Sequence, residues 1–344
     1  MRHLASIQKI SDIRSIENAD AIELVMIKGW QCVVKKGEFH KGDLCIYFEV
    51  DSFLQVDERY EFLRKSSYRN NEHMGEGFRI RTVTMRGELS QGLALPITSF
   101  PEVTPELGSD VSNQLNVKKW ELPESVTSSG IEIGEKPFGI PTTDETRLQS
   151  MPEFLTAFKG IPYYITTKMD GTSCTIYHKD GKVGVCGRNK EYKEDIDTCS
   201  MWQWVYKHKV KDKLMDLGEN IAIQGEFCGA GIQKNRLKLM VPTLYVFDIV
   251  VLREGGGLSK KMCFAELQRY CEKLGVEMVP VEEIGDHFNY TLNELLEKAQ
   301  GKYPSGLDKE GIVVRAQTPG HNHVIDHKMS FKVINNDFLK KDKD

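Results

Sequence analysis

Lys168-Met169-Asp170-Gly171-Thr172-Ser173 stands between two apolar runs, Tyr163-Tyr164-Ile165 before it and Cys174-Thr175-Ile176-Tyr177 after it. Runs of this kind read as strands, so the lysine falls at the mouth of a sheet, partly desolvated. Desolvation lowers a lysine pKa and frees the amine as a nucleophile. Asp170, two places on, projects to the same side of an extended chain, and Gly171 permits a sharp turn. This is the arrangement a lysine needs to attack a phosphorus atom. Taken alone, a surface turn with a solvated lysine explains the same residues.

At 344 residues the chain is long enough for two or three domains. Its 40% hydrophobic and 28% charged residues are ordinary for a globular protein. No apolar run approaches the roughly 20 residues of a membrane helix, and the first residues lack the apolar core of a signal peptide. The eight cysteines are scattered with no C-x-x-C pair, which points away from a zinc site and a disulfide framework. Reduced thiols in a cytoplasmic or nuclear compartment are expected. The net charge of −4 excludes a protein that is basic overall but allows a local basic groove.

Residues from about 20 to 100 read as short strands: 22–27, 30–34, 44–50, 78–83 and 92–95, broken by Gly and Asp. Five strands in this space suit a small OB-type barrel. Arg79 and Arg81, with Arg86, Lys35 and Lys36 nearby, offer either a phosphate-binding face or an ordinary solvated one. The expected domain spans 1–110. Residues 111–141, rich in Pro, Gly, Ser and Thr, read as a linker, and Thr142-Thr143-Asp144-Glu145-Thr146-Arg147 as a helix start. From 142 to 344 the pattern predicts strands at 162–169, 173–178, 182–187, 220–227, 243–251, 311–316 and 329–333, and helices at 146–158, 194–217, 260–274 and 291–300. The order is not a regular βαβ alternation, so an α+β fold with largely antiparallel sheets is expected. The last residues, 340–344, read as a frayed tail.

Several residues after the lysine suit nucleotide transfer. Arg188, just past a strand end, is placed to grip a ribose hydroxyl or a phosphate, as well as to form a surface ion pair. Glu226 closes the apolar strand 221–227, where a carboxylate is costly unless paired with a cation or a ribose hydroxyl. Phe247 lies on an aromatic strand and offers a stacking surface for a purine, although such stripes are more often core. Glu310 opens a strand and suits a metal beside a triphosphate. Lys332 sits inside the apolar strand Ser330-Phe331-Lys332-Val333-Ile334 with Lys328 just before it; a lysine there neutralises phosphate charge.

Each residue type is common, but the order Lys168-Met169-Asp170-Gly171, Arg188-Asn189, Gln224-Gly225-Glu226, Phe247-Asp248-Ile249, Glu310-Gly311-Ile312-Val313 and Ser330-Phe331-Lys332 is not. In this order the chain resembles the covalent nucleotidyl transferases, the ATP-dependent ligases and capping enzymes, and most closely the RNA ligase 2-like branch. The resemblance covers about residues 142 to 338. It implies an α+β nucleotidyltransferase (ATP-grasp-like ligase) core over 142–344, behind the OB-type barrel. One departure stands out: the branch often carries Lys-x-Lys in the last motif, whereas Ser330 holds the first position here and Lys328 is the nearest extra lysine.

The resemblance also implies the chemistry. Lys168 would attack the α-phosphorus of ATP, AMP would pass to an RNA 5′-phosphate, and a 3′-hydroxyl would displace it. Lys168, Asp170, Glu226 and Lys332 would be catalytic. Arg147, Thr167, Arg188, Phe247, Glu310 and Lys328 would complete the ATP site, with Glu310 and Asp170 holding Mg2+ or Mn2+. The expected partner is RNA with 3′-hydroxyl and 5′-phosphate ends in a nicked duplex, and the expected state is a monomer. DNA ligases and capping guanylyltransferases of this resemblance carry an OB domain after the last motif, but this sequence ends twelve residues past Lys332. Those two activities, and a non-catalytic RNA-binding protein, are the alternatives.

Overall fold

The computed structural model describes residues 3–121, 130–253 and 259–341. The chain divides into two compact units, one made of residues 3–121 with 149–152 and 340–341, the other of 130–148 and 153–339.

The first unit is built from short antiparallel strands. Ala5–Lys9 and Leu93–Pro96 flank Leu44–Phe48. Asp12–Ser15, Ile22–Ile27 and Trp30–Lys35 form a second sheet, and Ser52–Gln55 lies between Lys118–Lys119 and Gly75–Arg79 in a third. Alternation along these strands buries Ile7, Ile46, Phe48, Leu54 and Phe78 in one cluster and Val25, Ile27, Trp30 and Cys32 in another. The expected strand over 78–83 is two strands. Gly75–Arg79 ends, and Thr82–Met85 folds back on Glu88–Gln91 through Arg86 and Gly87, both at positive φ, the backbone a tight hairpin needs. Part of the expected linker is core: Val111, Leu115 and Val117 are buried in this unit, and Lys118–Lys119 pairs with Ser52 and Phe53. Their polar neighbours hid that spacing. Arg79 is not open for a phosphate, because its guanidinium lies 5.2 Å from the Trp120 ring and 3.9 Å from Asp51. Arg86, Lys35 and Lys36 are exposed.

The second unit holds two principal sheets. The larger runs Glu132–Glu135, Lys190–Tyr192, Lys182–Cys186, Thr172–Lys179, Ile221–Cys228, Thr243–Val251 and Lys260–Lys261, with Glu277–Met278 joining Thr243–Val251 in parallel. Every other pairing in it is antiparallel. Cys174, Ile176, Ile223, Phe227, Val246 and Ile249 pack on one face against Trp202, Val205, Leu214 and Leu267 of the covering helices. Alternation turns Ser173, Thr175, Gln224, Glu226 and Asp248 to the other face. The smaller sheet runs Val281–Gly285, Tyr163–Lys168, Gly311–Ala316 and Ser330–Ile334.

All seven strands expected in this unit are present, whereas all four helices are shorter than expected. No helix covers 146–153: Arg147 is in extended backbone, a 3-10 turn spans Leu148–Ser150, and the helix is Phe154–Phe158. Pro152 disfavours helical backbone at Met151, and Thr146 spends its carbonyl on the Lys332 amide, 2.8 Å away. The helix expected over 194–217 is two, Ser200–Lys207 and Val210–Leu217, split where Lys209 adopts φ +55°. Lys260–Lys261 is an edge strand, and the helix begins at Phe264 behind a Cys263/Glu266 capping box. Leu292–Lys298 starts on Thr291, whose hydroxyl accepts from the Glu294 amide. The chain closes on Asn336–Lys341; residues 342–344 of the expected frayed tail lie outside the described residues. Among the described residues no helix is long and apolar enough to cross a membrane. All eight cysteines are free thiols.

Candidate active site

Strand register assembles the site. Lys168 lies opposite Gly311, and Val313 lies opposite Lys332, so Lys168, Glu310 and Lys332 come from three neighbouring strands of the smaller sheet. Gly311 is the tightest point: its φ is +151° and an added Cβ would lie 2.1 Å from the Val333 carbonyl oxygen. Only glycine lets the chain deliver Glu310 there. Gly171 serves packing rather than a left-handed turn, since a Cβ there would meet the Phe227 carbonyl oxygen at 2.4 Å.

Two residues that the sequence reading missed hold this backbone. The Tyr303 hydroxyl donates to the Lys168 carbonyl at 2.7 Å and accepts from the Glu310 amide at 3.1 Å. Asn335 donates its amide to the Glu310 carbonyl and its side chain to the Lys309 carbonyl, both at 2.9 Å. Tyr303 sits in an irregular stretch with no periodicity to mark it. Asn335 follows the last strand, where an asparagine reads as an ordinary turn residue.

The Lys168 ammonium donates to Glu310 Oε2 at 2.5 Å. Burial pushes the Lys168 pKa down, but Glu310, Glu226 and Asp170 outweigh it, and the pKa ends above its ordinary value. The shift is opposite to the one that desolvation alone would produce, because three carboxylates lie around the ammonium. Glu226 is pushed up to about 7 by burial, with Glu310 and Asp170 repelling its charge against the pull of Lys168. Lys332 is held down to about 7, first by burial and then by the positive charges of Lys168 and Arg147. Arg147 reaches this place as a bridge partner of Lys332 rather than from a helix start.

The other expected residues have partners of their own. Arg188 grips both carboxylate oxygens of Asp144 at 2.7 Å. Lys328 lies 3.1 Å from Glu145 and donates to the Asp144 carbonyl at 2.5 Å, and Ser330 donates to Glu145 at 2.7 Å. Burial raises the Glu145 pKa, but Lys328, Arg315 and Lys261 overcome it and leave it at about 2. Half-buried Phe247 is the extra residue at a bulge between the strands carrying Glu226 and Asp248, with the Arg315 guanidinium 5.5 Å from its ring centre. Thr167 turns its hydroxyl the other way, to Glu282 at 2.8 Å, as alternation next to Lys168 requires. Asp170 lies 3.1 Å from Arg236. The set is a lysine among carboxylates with two further cations, Lys332 and Arg147, beside it; an incoming polyphosphate complements it.

A cluster of this kind suits a nucleotidyl-transfer enzyme. An RNA ligase family model matches residues 161–334, and an OB-fold domain model matches residues 4–97. Among solved structures, the chain is similar to Naegleria gruberi RNA ligase, as a lysine-to-alanine variant with ATP and Mn, at 37% identity and a TM-score of 0.88, covering 98% of each chain. It is similar to the same ligase as a glutamate-to-alanine variant with ATP and Mn, at 37% identity and a TM-score of 0.90 over 100% of each chain. The form with PPi gives 37% identity and a TM-score of 0.89 over 99% of each chain. No curated protein sequence matches. The chain belongs to the RNA ligase family.

Proposed function

We propose that this chain is an ATP-dependent RNA ligase that works through a covalent lysyl-AMP on Lys168 and seals 3′-hydroxyl and 5′-phosphate RNA ends at nicks in duplexes, as a monomer. The carrying observation is Lys168 bonded to Glu310, with Glu226, Lys332 and Arg147 acting on the same place. In the first step the Lys168 amine attacks the α-phosphorus of ATP and pyrophosphate leaves. The proton it sheds faces Glu310 Oε2, the acceptor within reach. Lys332, whose pKa is held down to about 7 so that it carries only part of its charge at neutral pH, gains its full charge as the α-phosphate arrives and stabilises the negative charge that develops there. Glu226 and Arg188 bind the ribose, and Phe247 offers its ring to the adenine. AMP then passes to the 5′-phosphate, and the 3′-hydroxyl attacks that phosphorus and displaces AMP.

Among the described residues no three His, Cys, Asp or Glu side chains converge to hold an ion unaided. Mg2+ and Mn2+ need fewer, since one or two carboxylates complete their shell with water and substrate phosphates. Glu310 fits that role, whereas Asp170 is engaged by Arg236. Bound there, the metal neutralises phosphate charge. The solved relatives with ATP and Mn support this reading.

The test is incubation with α-labelled ATP and a divalent metal, followed by a denaturing gel. An acid-labile label on the wild type that is lost in Lys168→Ala is expected; label retained by that variant overturns the mechanism. A panel of nicked duplexes with RNA or DNA on each side of the nick tests the substrate. Equal sealing of all-DNA nicks would remove the preference for RNA.

A further inference from the structure

Alternation sends Tyr163, Ile165 and Thr167 to one face of their strand, opposite the face that carries Lys168. Two consecutive residues of the edge strand Val281–Gly285 both reach that rear face. Glu283 accepts from the Tyr163 hydroxyl, and Glu282 accepts from the Thr167 hydroxyl at 2.8 Å. Regular alternation would send the two glutamates to opposite faces. A bulge removes the conflict: Ile165 pairs with Glu283 and Thr166 with Val281, which leaves Glu282 as the extra residue, re-aimed at the rear. Its carboxylate also takes the Lys309 ammonium through both oxygens, each at 2.7 Å. The Lys309 side chain is only 8% exposed, and a buried ammonium needs such a partner. The Lys309 backbone is pinned as well, its amide donating to the Gly301 carbonyl at 3.0 Å and its carbonyl accepting from the Asn335 side chain at 2.9 Å.

Thr167 immediately precedes Lys168, and Lys309 immediately precedes Glu310. One carboxylate behind the sheet therefore holds the chain neighbours of both members of the Lys168–Glu310 pair. We propose that Glu282 is a positioning residue for lysine adenylation: from the rear of the sheet it braces the Lys168 strand against the segment that delivers Glu310. It lies on the face away from the reacting atoms and acts through Thr167 and Lys309. Tyr303 and Asn335 tie these segments through backbone groups, whereas Glu282 ties them through side chains. The proposal rests on the assignment of Lys168 as the nucleophile.

The test uses the full chain, Glu282→Gln, and the double variant Glu282→Gln/Lys309→Met. Single-turnover adenylation is measured against ATP concentration, with Tm recorded without ATP. Glu282→Gln is expected to lower the maximal adenylation rate about tenfold, the scale of a charge-assisted bond lost from alignment, with the half-saturating ATP concentration within about threefold of wild type. Its Tm falls too, because Lys309 is left buried without its counter-charge. The double variant removes that stranded charge, so Tm recovers, but the brace is still missing and the rate stays about tenfold down. Rate and stability thus part company, which a purely structural role does not produce. Should Glu282→Gln fail to fold, the double variant alone decides. A maximal rate within about twofold of wild type in Glu282→Gln overturns the proposal. So does a double variant that regains the wild-type rate along with its Tm, or a loss that appears only in the half-saturating ATP concentration. Normal wild-type labelling alongside any of these results leaves the parent mechanism standing, whereas no label on the wild type removes both.

Discussion

Replacing Tyr303 by phenylalanine removes one oxygen and leaves the buried ring among Met169, Cys228, Tyr245 and Val279. That oxygen joins two parts of the site, giving a hydrogen bond to the Lys168 carbonyl at 2.7 Å and taking one from the Glu310 amide at 3.1 Å. Each such bond contributes roughly 0.5–1.5 kcal/mol net, so the pair is worth about 1–3 kcal/mol. If the loss fell wholly on the alignment of nucleophile and carboxylate, adenylation would slow by about 5- to 150-fold, at about 1.4 kcal/mol per factor of ten. Some of it falls instead on folding, where about 1 kcal/mol shifts the Tm of a domain of this size by roughly 2–4 °C. Single-turnover adenylation and calorimetry on Tyr303→Phe divide the two. Lys332, fixed by its own strand, is untouched, so the KM for ATP should move less than the rate. Wild-type adenylation together with an unchanged Tm would show that Tyr303 does not couple the two strands.

Lys328→Met should lower Tm by several degrees, because the buried Glu145 carboxylate loses its nearest cation and keeps Arg315 at 3.8 Å and Ser330; adding Glu145→Gln should recover part of the loss, and additive losses by thermal denaturation would contradict the pairing. Glu226 carries a folded pKa near 7, above its unfolded value, so it contributes stability that is full below about pH 4.5 and lost as pH rises through 7. Glu226→Gln should therefore gain Tm relative to wild type across that window; a difference that stays flat from pH 4 to 8 would show that Glu226 titrates normally. Gly311→Ala should leave little folded protein or cost well over about 2 kcal/mol, since it combines an unfavourable φ with a backbone clash; a wild-type denaturant midpoint would refute the close approach.

The strands of the second unit were legible because each is a long apolar run flanked by polar breaks, and register then follows from which face must be buried. The helices were less so. Thr142 to Arg147 has the composition of a helix start, but its backbone is spent on the strand that carries Lys332, a tertiary demand no local pattern displays. In the first unit, four-residue strands such as Ser52–Gln55 and Tyr68–Asn71 are too short for alternation to stand out. The charged residues singled out by motif spacing, Lys168, Glu226, Glu310 and Lys332, lie together, whereas the neutral residues that fix their backbone, Tyr303 and Asn335, left no mark in the sequence. Spacing reveals residues in successive strands, whereas support from an irregular segment depends on where that segment lands. The sign of the Lys168 shift was illegible for a related reason: it is a balance between burial and three carboxylates brought from distant points of the chain.

The short bond from Lys168 to Glu310 bears on more than the intended reaction. Only a neutral amine is consumed by stray acyl phosphates, reducing sugars and aldehydes. An ammonium tied to a carboxylate while the pocket waits has no lone pair to offer them. In the proposed reaction the same clamp would have to open before the lysine could take a nucleotide, and it would keep that side chain chemically unspent between turnovers.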